Sequence, residues 1–316
     1  MNKYEIVILI LSIVVFLFIS YPIFGYPFVA RFLYNHFLVR TSESKWSRQC
    51  SDPNDYDQVI MFEKGLKWAK DNKKYIEEIH LNSDGINIYG EYFNFGFDKA
   101  VIITPGRAES LLYSYYYAKP YLDAKYNVFV FDKRAHGKSD GKYEDCGHHS
   151  YVDILNIAEL LHEKYSVKEI ILHGICIGAS VSIFAITSQK CPSYISKIVV
   201  DGMYSTFRNS FKRHMKVDKR STFIILDEVM LLALLHSRAN FTFNGPYYRI
   251  KDLKKPILMI YTSNDKYSTV EDGNKLLSRC PSKNKKIVIF NKGDHSHVRI
   301  HNEKEYDSEI INFLNQ

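Results

Sequence analysis

The chain has 316 residues, 46% hydrophobic and 24% charged, a balance that suits a folded globular protein and excludes wholesale disorder. Its formal charge of +7 is scattered, with Lys283-Asn284-Lys285-Lys286 as the longest basic run, so no basic stripe marks nucleic acid as a partner. Five cysteines (Cys50, Cys146, Cys176, Cys191, Cys280), odd in number and without a C-x-x-C pair, exclude a disulfide framework or zinc ribbon and fit a reducing compartment.

From Ile6 to Ala30 the chain carries no charge, and a helix needs about 20 apolar residues to cross a bilayer core. Pro22 and Pro27 are expected to kink or end the regular helix near the interface. A cleaved signal peptide is the competing reading, but no small-x-small site follows Ile19. Residues 1–30 therefore read as an uncleaved single-pass membrane anchor. Lys3 precedes it and Arg31, Arg40, Lys45 and Arg48 follow it, which puts the rest of the chain on the cytoplasmic side by the positive-inside rule.

Residues 31–74 read as a juxtamembrane connector, with a helix over Asp55 to Lys70 from the spacing of Val59, Ile60, Phe62, Leu66 and Ala69. A third unit, 75–316, opens with a hairpin: Tyr75 to Leu81 and Ile86 to Phe93 flank Asn82-Ser83-Asp84-Gly85. Short apolar strands then alternate with helices. The strands are Ala100 to Thr104, Asn127 to Phe131, Glu169 to His173, Lys197 to Val200, Pro256 to Tyr261 and Lys286 to Phe290. The helices are Tyr151 to Tyr165, Ile177 to Gln189 and Glu305 to Leu314. This order predicts an α/β fold, a mostly parallel sheet with helices on both faces. Residues 203–250, with an apolar helix over Phe223 to Leu235, interrupt the alternation and read as a cap over the C-terminal strand ends. An ordinary core helix is the alternative.

The sharpest local feature is His173-Gly174-Ile175-Cys176-Ile177-Gly178-Ala179-Ser180, between the strand Ile170-Ile171-Leu172 and an apolar helix. Strand, tight turn and helix make the setting of a nucleophile elbow, with cysteine where serine usually stands. The dipole of the helix that follows would stabilise a thiolate. Taken alone, a glycine-flanked cysteine is as easily a small core residue. Further along, Asp265 follows one strand and His295 another, giving the order nucleophile, acid, base. Asp265 would orient the imidazole and His295 would accept the thiol proton. His297 is an alternative base and Asp201 an alternative acid. An oxyanion hole is expected from the amides of Ile177 and Arg107. The Arg107 side chain would meet either Glu109 or a polar substrate group.

Pro105-Gly106-Arg107-Ala108-Glu109-Ser110 and Asp132-Lys133-Arg134-Ala135-His136-Gly137-Lys138-Ser139-Asp140-Gly141 resemble the corresponding loops of the lysophospholipase and monoacylglycerol lipase group of α/β-hydrolases. The similarity spans about residues 99–202 and 251–314 and leaves the cap unmatched. It implies the α/β-hydrolase fold and acyl-ester chemistry. Ala135 replaces that group's glycine and Cys176 its nucleophilic serine. A cysteine elbow is similar to dienelactone hydrolases, bile-acid-CoA:amino-acid acyltransferases and polyhydroxyalkanoate synthases.

The expected activity is hydrolysis of an acyl ester or thioester through an acyl-Cys176 intermediate. The apolar cap and anchor suggest a hydrophobic, lipid-like small-molecule substrate. The alternatives are an acyltransferase using the same intermediate and a non-catalytic binding protein on a hydrolase fold. His295, His297 and His301, like Cys146, His148 and His149, lack a complete ligand pattern, so neither a metal nor another cofactor is expected.

Overall fold

The computed structural model describes residues 2–20 and 25–316. At its start the structure describes the apolar stretch on both sides of residues 21–24. Helix α1 spans Lys3–Ser20 and α2 spans Tyr26–Leu38, and Pro22 lies outside the described residues. Pro27 does not end a helix. It sits in the first turn of α2, where a missing N–H is tolerated and the fixed φ suits a helix. Ala30, Leu33, Tyr34, Phe37 and Leu38 recur at helical spacing and are buried, whereas the α1 side chains from Ile6 to Leu11 and from Ile13 to Phe16 are exposed. Among the described residues no helix is long and apolar enough to cross a membrane. The expected span over Ile6 to Ala30 thus finds no support among the described residues, and from Tyr26 onward that stretch belongs to a helix packed into the folded domain.

Residues 31–74 are likewise built into that domain. Arg40 donates to the carbonyls of Ser139 (3.1 Å) and Gly137 (2.9 Å), and Trp46 stacks on His136 with centroids 4.6 Å apart. Helix α3 (Tyr56–Asp71) starts where Asp55 accepts from the Gln58 amide, satisfying one of the donors a helix N-terminus leaves free. It buries Met61 and Ala69 against the sheet's helical cover.

Strands β1 (Ile76–Ser83) and β2 (Ile86–Phe93) pair antiparallel with Ser83 opposite Ile86. Asp84 (φ 50°) and Gly85 (φ 78°) make the two-residue turn, the geometry that matches strand twist. Then follow β3 (Lys99–Thr104), short helices α4 (Leu111–Ser114) and α5 (Lys119–Asp123), β4 (Asn127–Phe131), α6 (Tyr151–Tyr165), β5 (Glu169–Ile175) and α7 (Ile177–Ile186). Helix α7 is shorter than the expected Ile177 to Gln189. The Thr187 hydroxyl bonds back to the Ile183 carbonyl at 2.6 Å, and the chain turns toward Pro192. After β6 (Ile195–Asp201) come α8 (Phe207–Val217), α9 (Ile225–Ser237) and α10 (Pro246–Arg249). The chain ends with β7 (Ile257–Thr262), α11 (Val270–Arg279), β8 (Lys285–Phe290), α12 (Val298–His301) and α13 (Glu303–Leu314).

The eight strands form one sheet in the order β1-β2-β4-β3-β5-β6-β7-β8. From β4 to β8 neighbours run parallel, and β2 joins β4 antiparallel. Alternate residues of the inner strands enter opposite cores. Ala100 and Ile102 pack with α6, α7 and α2, whereas Val101 and Ile103 pack with α3 and α13. A sheet covered on both faces needs such unbroken apolar strands.

Helices α8 and α9 leave the C-terminal end of β6. Helix α8 buries Phe207, Phe211 and Met215. Helix α9 buries Ile225, Val229 and Ala233 and leaves Leu231, Leu234 and Leu235 exposed. Its neighbour is α2. The segment expected to lie in a membrane thus supplies part of the cap's packing.

Candidate active site

Strand β5 ends in a tight turn whose last residue, Cys176, has φ 52° and ψ −113°. A residue with a Cβ holds such a conformation only when its surroundings impose it. Here they do. A Cβ on Gly174 would lie 2.4 Å from the Gly178 carbonyl, and one on Gly178 would lie 2.1 Å from the Thr104 carbonyl. Only glycines let α7 approach β5 and β3 this closely. The Cys176 amide donates to the Asp201 carbonyl at 2.8 Å, fastening the turn to β6.

His295 follows β8 and Asp265 follows β7. Nδ1 of His295 meets Oδ2 of Asp265 at 2.6 Å. Oδ1 of Asp265 accepts from the amides of Tyr267 (2.7 Å) and Ser268 (2.8 Å), so the carboxylate is fixed before it fixes the ring. Burial opposes a charge on His295, but Asp265 and then Cys176 outweigh it and hold the imidazole well above its ordinary pKa. Nε2 is buried and has no hydrogen-bond partner. It is the nitrogen left for a proton exchanged with Cys176.

The alternative acid and base are occupied elsewhere. Asp201 is fully buried and accepts from the Tyr306 hydroxyl at 2.8 Å. Burial pushes its carboxyl up to about 7. It makes no hydrogen bond to either histidine. His297 shares the cavity, but its Nε2 donates to Gln58 Oε1 at 2.8 Å. The candidate metal ligands are also engaged: His301 pairs with Asp57, and His148 bonds the carbonyls of Asp145 and Asn240. Among the described residues no three His, Cys, Asp or Glu side chains form a group that could hold a metal ion.

Ile177 opens α7 and Arg107 follows β3. Among the described residues neither amide donates to another backbone carbonyl outside regular structure. The neighbouring Gly106 amide donates to Glu109 Oε2 at 2.8 Å. Among the described residues Glu109 forms no ion pair with the Arg107 side chain. Its other oxygen accepts from Gln58 Nε2 at 3.2 Å.

Cys176 and His295 open into a cavity of about 450 Å³, also bordered by Arg107, His36, Lys45 and Gln58. Its apolar lining comes from Trp46 and Ala108; the rest is polar or charged. His36, Lys45 and Gln58 were not legible as site residues, because they lie in the stretch that reads as a connector. Gly202 was missed as well. It sits at φ 60°, where a Cβ would meet His295 Cε1 at 3.2 Å. The glycine after the β6 aspartate was the available signal.

A family model described as alpha/beta hydrolase fold matches residues 99–219, the part that holds β3 to β6 and the Cys176 turn. The esterase Pf2001 of Pyrococcus furiosus superposes with a TM-score of 0.66 at 22% identity, over 86% of this chain and 98% of its own. The chain has the α/β-hydrolase fold. An esterase from Exiguobacterium antarcticum is similar over 76% of this chain and 100% of its own, at 13% identity and a TM-score of 0.58. The uncharacterized protein YqkD of Bacillus subtilis (strain 168) is 24% identical over 216 residues, 68% of this chain and 70% of its own. Within this fold the ends of β3, β5 and β8 border one cavity, as open α/β sheets place their ligand sites.

Proposed function

We propose that this protein hydrolyses acyl esters or thioesters through a covalent acyl-Cys176 intermediate. The carrying observation is the strained Cys176 turn beside a buried His295 whose other nitrogen is held by Asp265. In this reading His295 Nε2, whose imidazole favours its charged form, takes the thiol proton before the sulfur attacks the acyl carbon. The amides of Ile177 and Arg107 receive the oxyanion. The protonated imidazole then gives its proton to the leaving alkoxide or thiolate, and the C–O or C–S bond breaks. Water, deprotonated by the same nitrogen, attacks the acyl-thioester and releases the acid and the Cys176 thiol. The likeness to esterases supports ester chemistry, and the cavity's mixed lining, with Trp46 and Ala108 beside charged residues, supports an acyl substrate that carries both apolar and polar parts.

The exposed apolar side chains of α1 support attachment to a lipid surface, with the following basic residues on the cytoplasmic side. Flotation with liposomes, with and without residues 2–20, tests that part separately.

The test of the chemistry uses the full chain, because α2 is part of the fold. Incubation with an activated acyl ester and an acyl thioester should add one acyl mass, mapped to Cys176. Cys176→Ala should abolish the adduct and His295→Ala should slow its formation. Decay of the adduct in water identifies a hydrolase, and decay only with an added amine or alcohol identifies a transferase. No adduct with any acyl chain would sink the catalytic reading and leave a binding protein.

A further inference from the structure

We propose that the Arg107 side chain, reinforced by Lys45, binds an anionic group of the substrate, a carboxylate or a phosphate. The proposal deepens the acyl-transfer reading of this cavity and rests on it for the identity of the substrate. The Arg107 guanidinium lies over the Phe37 ring, 4.9 Å from its centroid, and borders the same cavity as Cys176 and His295. The ring orients the planar cation without neutralising it. Three carboxylates also border the cavity, and each is committed nearby. Asp52 accepts from the Asn54 amide (3.0 Å), and Asp55 caps α3 through the Gln58 amide (3.1 Å). Glu109 holds Gly106 and Gln58. Among the described residues none of these forms an ion pair with Arg107.

The surrounding groups respond to that unpaired charge. Lys45 Nζ donates to the carbonyls of Asn35 (2.5 Å) and Val39 (2.6 Å) at the end of α2, and burial followed by Arg107 pushes it down to about 8. Burial and then Arg107 lower His214 of α8 to about 3. His36 of α2 is lowered by burial, then by Lys45 and Arg107. The lowered values keep His36 and His214 neutral near pH 7, so Arg107 and Lys45 are the two cations that repel each other beside the Cys176 turn. A carboxylate or phosphate would relieve the repulsion, and its paired oxygens match the two-pronged guanidinium. Partial burial strengthens the attraction relative to open solvent.

Two readouts test this. In the first, calorimetry measures binding of glutarate and of inorganic phosphate to the full chain. At least one should bind about tenfold or more tightly than to Arg107→Met, with Arg107→Lys in between. In the second, turnover of the 4-nitrophenyl esters of pentanoic and glutaric acid is compared, and likewise of butyryl-pantetheine and butyryl-4′-phosphopantetheine. The wild type should favour the charged member of one pair at least tenfold in kcat/KM, mainly through KM, and Arg107→Met should bring that ratio toward one. The ester pair places the anion on the acyl side, and the thioester pair places it on the leaving group. Turnover without charge preference and without anion binding overturns this site and leaves the catalytic reading standing. Anion binding lost in Arg107→Met but with no acylation of Cys176 does the reverse. If Arg107→Met does not fold, the wild-type ratios and affinities decide alone.

Discussion

The two walls of the cavity have different origins. One is the candidate catalytic wall, set by the ends of β5, β7 and β8, where short apolar strands deliver Cys176, Asp265 and His295. The other comes from α2, the loop after it, α3 and α8, and carries His36, Lys45, Gln58 and His214. The first lies on hydrogen-bonded sheet that fixes position to within the backbone's own tolerance. The second lies on helices and loops held by side-chain packing, such as Phe37 on Phe211 with centroids 5.0 Å apart. Under the proposed function the chemistry would belong to the sheet, and recognition to the segments added around it.

The largest expected effect tests whether the added wall is part of the fold. Removing residues 2–20 should leave the melting temperature nearly unchanged. Removing everything before Lys45 also deletes Leu33, Tyr34, Phe37 and Leu38, which are buried. Each buried apolar side chain is worth about 1.5–3 kcal/mol, so the shorter chain should unfold or aggregate, as circular dichroism and light scattering would reveal. A stable, cooperatively melting product would show that α2 is dispensable.

Asp265→Asn is the complementary cut in the catalytic wall. It should keep the fold and lower kcat by about 10³-fold, since the wrong imidazole tautomer is then favoured. Steady-state kinetics beside a thermal melt separate the two effects, and unchanged kcat would remove Asp265 from the mechanism.

Beneath that wall, Asp201 makes stability depend on pH. Its folded pKa of about 7 lies above the ordinary 3.8, so the folded state favours the neutral acid. The folded state is therefore penalised increasingly as pH rises from about 4 to 7, and the penalty stays constant above that. Asp201→Asn keeps an acceptor for Tyr306 and should raise stability at pH 8 by up to about 4 kcal/mol, at about 1.4 kcal/mol per pKa unit. It should change little at pH 4. Urea melts at the two pH values measure this, and equal effects at both would contradict the buried-acid account.

The smallest effect lies outside both walls. Lys67 and Asp71 pair at 2.6 Å on an exposed turn of α3, and such pairs contribute about 0.5 kcal/mol or less. Lys67→Ala should leave both melting temperature and kcat within error. A larger shift would mean that α3 transmits surface changes to Gln58.

The catalytic wall was legible because its signals are local. Period-two and continuous apolar runs mark strands, Gly174 and Gly178 mark the turn, and the order Cys176, Asp265, His295 follows from strand order. Asp84-Gly85 fixed the hairpin for the same reason. The choice between Asp265 and Asp201, and between His295 and His297, was not legible. Both members of each pair stand near a strand's C-terminal end, and only the packing of β6 against β7 and of α13 beneath them separates the roles. The N-terminal segment misled for a different reason. An uncharged run reads alike whether lipid or protein covers it, and only tertiary packing showed that its last residues, Tyr26 to Ala30, open a helix whose buried face continues through Leu33, Tyr34, Phe37 and Leu38.

By itself, then, the sequence determined the sheet and the tight turn at Cys176, because each depends on neighbours within a few positions. Tertiary structure alone decided which acid holds which histidine, that Glu109 bonds the Gly106 amide rather than Arg107, and that the segment up to Gln58 walls the cavity. Most of those contacts join residues far apart in the chain: Asp265 and His295 are 30 positions apart, Gln58 and Glu109 51, and Gln58 and His297 239. Their energies depend on burial and distance, which no local pattern encodes.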